Sequence, residues 1–68
     1  MSNMKKLSNK LRNVRIVRKI SINELANELG VSRSTIFRFE EGKTTSNMMV
    51  EKYCEYFQID LAIIARND

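Results

Sequence analysis

The chain has 68 residues, no proline, no histidine, a single cysteine and a formal net charge of +4. That length holds one domain with a modest core, and Cys54, with neither a second cysteine nor any histidine, excludes an intrachain disulfide and the usual zinc sites. Nothing in the chain reaches the roughly 18 apolar residues of a membrane span, and Met1 to Lys10 lacks the apolar stretch of a secretory signal.

Two glycines and many good helix formers predict an all-α domain of five short helices. Residues 1–7, with Lys5 and Lys6, read as a basic N-terminal tail that adds phosphate affinity, and the domain takes residues 8–68. Ser8 is the expected N-cap of a first helix running to about Arg18, with Leu11, Val14 and either Val17 or Arg18 facing inward. Ser21 offers the next cap, with Glu24 three residues on to complete a capping box. That second helix turns Leu25, Ala26 and Leu29 inward and stops at Gly30, the residue best able to take the left-handed conformation that ends a helix. Ser32 caps a third helix, which is anchored by Ile36 and Phe39 and ended by Gly42. Lys43 to Asn47 form a polar loop. The fourth helix carries Val50, Tyr53, Cys54 and Phe57 at i, i+3, i+4 and i+7, so Cys54 is a core residue, and Asp60 caps a fifth through Leu61 to Ala65.

Charge is divided unevenly along these elements. Residues 1–43 carry ten basic and four acidic groups, whereas residues 44–68 carry two basic and four acidic ones. A basic half joined to a mildly acidic half predicts that the first meets a polyanion.

The informative stretch is Ser21 to Gly42. Two short helices are hinged at Gly30, with Ala26 small enough for close approach, Val31 plugging the turn, and Ile36 and Phe39 rooting the second helix in the core. This leaves the outer face of that helix proud of the domain, at a width that fits the major groove of B-form DNA. The residues Leu11-x-x-Val14-Arg15, Glu24-Leu25-Ala26, Gly30-Val31-Ser32, Thr35-Ile36, Phe39-Glu40-x-Gly42-Lys43 and Val50-x-x-Tyr53-Cys54-x-x-Phe57-x-Ile59 stand in register. Together they resemble the Cro and phage-repressor type of helix-turn-helix, the XRE family, over about residues 8–65.

The resemblance implies a compact five-helix, lambda-repressor-like DNA-binding domain whose helix-turn-helix covers about residues 22–41. It implies base contacts from Arg33, Ser34, Phe37 and Arg38. Arginine suits the two acceptors of guanine, a bidentate pair being worth about 1–3 kcal/mol of discrimination, and Phe37 suits a thymine methyl. It further implies phosphate contacts from Asn23, Ser32, Thr35, Lys43 and Thr44 at helix N-termini and in the loop after the third helix. Arg15 and Glu40 resemble the family's interhelical ion pair, a structural feature. Three positions depart from the pattern: Ile22 stands where many relatives have glutamine, and Lys19 and Gln58 stand where glycine is common.

Leu61, Ile63 and Ile64, with Met48 and Met49, are more apolar material than a small core needs, and such a surplus marks a partner surface. The expected partners are double-stranded DNA and a second copy of the chain, giving a homodimeric repressor on a two-fold operator. A protein partner on the same apolar surface, as in helix-turn-helix antitoxins, is the alternative. No cofactor, metal or membrane is expected, and a free thiol without an export signal fits the cytoplasm. An enzyme is disfavoured: there is no histidine, no glycine-rich phosphate loop and no paired carboxylate in a plausible cleft.

Overall fold

The computed structural model of the chain describes residues 3–44 and 46–66. Five α-helices follow one another: α1 (Asn3–Val17), α2 (Ile22–Leu29), α3 (Arg33–Glu40), α4 (Asn47–Phe57) and α5 (Leu61–Arg66). Thr45 of the polar loop, the first two residues of the expected tail and the last two of the expected domain lie outside the described residues. Among the described residues no helix is long and apolar enough to cross a membrane.

The start of α1 corrects the sequence reading. The tail expected over residues 1–7 is helical from Asn3, and Ser8 lies inside the helix, wholly buried, instead of capping it. The reason is visible in the spacing: Leu7, Leu11 and Val14 extend the apolar stripe one turn further back, and Leu7 packs against the core. A serine is small enough to sit within that stripe. Its hydroxyl has no hydrogen-bond partner. Ser8→Ala is therefore expected to stabilise the fold by about 1 kcal/mol, through loss of an unsatisfied buried hydroxyl and gain of helix propensity. A serine acting as N-cap would give the opposite sign, a loss of about 1 kcal/mol. Thermal melts separate the two, since 1 kcal/mol moves the midpoint of a domain this size by about 4–8 °C.

Just past the end of α1, the exposed Arg18, rather than Val17, lays its side chain against the body of the domain. Val17 is 77% exposed, while the Arg18 guanidinium lies 5.3 Å from the centroid of the Phe57 ring, within cation–π range. The turn into α2 closes with Ile20 N–H donating to the Arg15 carbonyl (3.2 Å) and with Lys19 at φ 60°. Gln58, at φ 56°, ends α4 in the same left-handed conformation, its N–H donating to the carbonyls of Cys54 and Glu55. These are the two positions where the resemblance expects glycine. The backbone keeps the glycine conformation with a side chain in place, at a cost of about 1–2 kcal/mol each.

The core gathers Leu11, Leu25, Ile36, Phe39, Tyr53 and Phe57, with Ala26, Val50, Met49 and Cys54 at its edges. Three rings run through it: Phe39 and Tyr53 lie 4.9 Å apart and Tyr53 and Phe57 6.0 Å apart, both tilted, an arrangement favoured by the aromatic quadrupole. Burial, with the nearby Asp60 charge a lesser cause, pushes the Cys54 thiol up, so the residue behaves as core and not as a nucleophile. The apolar surplus divides in two. Met49 is buried whereas Met48 is 61% exposed. On α5, Ile64 packs against the core, while Leu61 and Ile63 face outward. Of Leu61, Ile63 and Ile64, the three expected at a dimer interface, Ile64 is thus the one partly covered by the chain itself. The Asp60 carboxylate accepts from the Ala62 N–H (2.9 Å) to start α5, and Lys10 Nζ donates to the Ile64 carbonyl (3.0 Å), tying α5 to α1.

Candidate nucleic-acid interface

The α2–turn–α3 unit is built from local hydrogen bonds. Ser21 Oγ accepts from the Glu24 N–H at 3.0 Å, making the serine half of the expected capping box. At the other end of α2, Gly30 adopts φ 71° and donates its N–H to the Ala26 carbonyl, as does Val31 at 3.0 Å. A side chain at position 30 would meet no steric obstacle, so the glycine is required by the left-handed backbone alone. Ser32 Oγ then accepts from the Thr35 N–H (3.1 Å) and shares a 2.8 Å hydrogen bond with Thr35 Oγ1. The hydroxyls of Ser32 and Thr35 are thereby already engaged with each other. Any anion at the start of α3 would meet first-turn N–H groups that lack intrahelical partners.

Helical periodicity sorts the side chains of α3. Ile36 and Phe39 are fully buried, which turns Arg33, Ser34, Phe37 and Arg38 outward, all exposed, Phe37 by 51%. These are the four residues expected to read bases. They line one shallow depression, and Ile22 from the start of α2 lines it with them. Arg38 lies in the last turn of α3, where the helix dipole favours a cation. Of the residues expected at phosphates, Asn23 is exposed in the first turn of α2, Lys43 is exposed just past α3, and Thr44 is half-buried beside it.

Lys5 adds to this edge, although the sequence placed it in a tail. Gly42, at φ 77°, is covered by the Lys5 side chain so closely that a Cβ there would come within 2.7 Å of Lys5 Cγ. The first turns of α1 thus bring a second lysine to the end of α3 where Lys43 begins. No local signal could have revealed this, because it depends on α1 starting five residues before Ser8.

A family model for a helix-turn-helix domain matches residues 8–65, nearly the whole chain. The chain belongs to the helix-turn-helix domain family. No curated protein and no solved structure matches it. The family is of the XRE/Cro kind, DNA-binding and regulatory rather than enzymatic, so DNA is the partner of this domain.

What holds the helix-turn-helix domain in this arrangement is a buried polar cluster. Arg15 Nε donates to Glu40 Oε2 (2.8 Å) and Arg15 Nη2 to Glu40 Oε1 (2.9 Å), a bidentate pair between α1 and the end of α3. Arg15 Nη1 donates to the Ile20 carbonyl (2.8 Å), fixing the turn into α2. Tyr53 Oη donates to Glu40 Oε2 (2.7 Å), which brings in α4. Hydrogen bonding to Glu40 raises the Arg15 pKa against the lowering effect of burial. Burial, and then the hydrogen bond to Glu40, push the Tyr53 phenol well above its usual range, so it stays a neutral donor. The Arg15–Glu40 pair was expected from the resemblance, but Tyr53 was read as only a core or interface aromatic. A tyrosine in an apolar stripe needs a partner for its hydroxyl, and that was the available signal.

Proposed function

We propose that the protein is a sequence-specific transcriptional repressor that places α3 in the major groove and acts in the cytoplasm as a homodimer on a two-fold operator. The observation that carries this reading is the outward face of α3: Arg33, Ser34, Phe37 and Arg38 are exposed together on a helix rooted by Ile36 and Phe39. Arg33, Ser34, Phe37 and Arg38 select the sequence. Asn23, Ser32, Thr35, Lys43 and Thr44 grip phosphates, the paired hydroxyls of Ser32 and Thr35 at the α3 start acting mainly by presenting backbone N–H groups. Exposed Leu61 and Ile63 support a dimer through α5, with Met48 on the same side of α4 as Glu51 and Glu55, which border Leu61. A two-fold dimer sets its two α3 helices about 34–36 Å apart, one turn of DNA. A domain so placed represses by occupying the operator.

The same patch supports a second reading, in which Leu61 and Ile63 hold a different protein and DNA binding serves that complex. Sedimentation equilibrium with and without a random-sequence duplex, at about 50 and 200 mM salt, separates the two. The repressor reading expects a dimer whose duplex affinity falls by a factor of roughly 10³ or more between those salts, as about 6–10 phosphate contacts require. A monomer that ignores DNA at the lower salt would refute it in favour of the protein partner.

A further inference from the structure

The outer face of α3 is not made by α3 alone. Ile22, the first residue of α2, borders the depression formed by Arg33, Ser34, Phe37 and Arg38. One side of Ile22 packs against the core, and the residue remains only half-buried. Phe37 is 51% exposed, an apolar side chain on a face whose other α3 members, Arg33, Ser34 and Arg38, are polar and exposed. The result is a depression whose apolar lining, Ile22 and Phe37, comes from two helices and whose remaining lining includes two exposed arginines. A partner that suits the depression must offer a small apolar group while surrounding it with anionic or acceptor groups that suit the arginines. In the major groove of unmodified B-form DNA the thymine C5-methyl is the one apolar group on show, and guanine O6 and N7 are the acceptors arginine takes in pairs.

We infer that Ile22 and Phe37 together form a seat for a thymine methyl, and that Ile22 is a specificity-determining residue supplied by α2. This rests on the reading of α3 as the groove helix. Arg33 and Arg38, which line the same depression, take guanines near that thymine, so each half-site contains a thymine with guanine close by. Ile22 stands where the family resemblance expects glutamine, so an apolar side chain borders the depression in place of a polar one.

The test starts from a duplex selected by the protein out of a random pool. Each thymine is then replaced in turn by uracil, which removes the methyl and leaves the hydrogen-bonding edge unchanged. One thymine per half-site is expected to matter, with uracil there weakening binding about fourfold, the transfer cost of one buried methyl. With Phe37→Ala, and with Ile22→Ala, the uracil duplex and the thymine duplex should bind equally. Ile22 contributes to packing, so its variant is compared only if it melts as the parent does. Phe37 is exposed and keeps the test decisive without it. Uracil tolerated at every thymine, or a full uracil penalty retained by Phe37→Ala or by Ile22→Ala, overturns the seat while leaving the DNA reading intact. A pool from which no sequence is enriched overturns the DNA reading itself, and the seat with it.

Discussion

Glu40→Ala is expected to destabilise the domain by about 3–5 kcal/mol, the cost of removing one partner from a buried ion pair. The carboxylate is 6% exposed and accepts three hydrogen bonds, two from Arg15 and one from Tyr53. Without it, a buried guanidinium keeps only the Ile20 carbonyl, and the Tyr53 hydroxyl loses its acceptor. Domains of this kind are stable by roughly 0.05–0.15 kcal/mol per residue, so the loss approaches the whole stability of so short a chain. Tyr53→Phe should cost less, about 1.5–3 kcal/mol, since it deletes one hydrogen bond to a charged group and leaves the bidentate pair in place. Replacing Arg15 and Glu40 together by apolar residues of similar volume should recover much of the Glu40→Ala loss, because no charge is then stranded. Urea denaturation with an unchanged slope measures all three. A loss below about 1 kcal/mol for Glu40→Ala would mean that the cluster does not hold the helices together.

The second large effect concerns DNA, and it differs in kind between two basic residues. Arg38 is exposed on the outward face of α3 that we propose reads bases, whereas Lys43 follows Gly42 in the loop beyond it. Arg38→Ala removes a fork able to pair with guanine and should cost about 1–3 kcal/mol on the selected sequence, with relaxed preference at one position per half-site. Lys43→Ala removes a phosphate contact, which every duplex offers alike. It should weaken selected and random duplexes equally and lower the salt slope by about one per protomer.

Much of this architecture is legible residue by residue. The caps at Ser21 and Ser32 and the stop at Gly30 depend on neighbours within five positions, and the structure shows each where the sequence indicates it. The apolar rows of α2, α3 and α4 follow from periodicity, and the outward set Arg33, Ser34, Phe37 and Arg38 is their complement. Ser8 was misleading because serine suits a cap and a tight buried position equally well, and the choice between them rests on whether Leu7 reaches the core. The left-handed backbone at Lys19 and Gln58 is hidden by side chains that do not favour it; only the family pattern points to it. Contacts between elements distant in sequence were the least legible. Tyr53 meeting Glu40, Lys5 covering Gly42 and Ile22 joining the face of α3 all depend on how the helices pack. Two of these three lie at the outward face of α3 or at its end, so the surface proposed to meet DNA is wider than α3 alone.

The proposed function requires that α3 reads base edges while the residues around it hold the backbone. The most direct measurement is the ratio of affinities for a selected and a random duplex, at one salt concentration, for the parent chain, Arg38→Ala and Lys43→Ala. Arg38→Ala is expected to lower this ratio about tenfold and Lys43→Ala to leave it unchanged. A ratio near one for the parent chain, or equal losses on both duplexes for both variants, would contradict the proposed function.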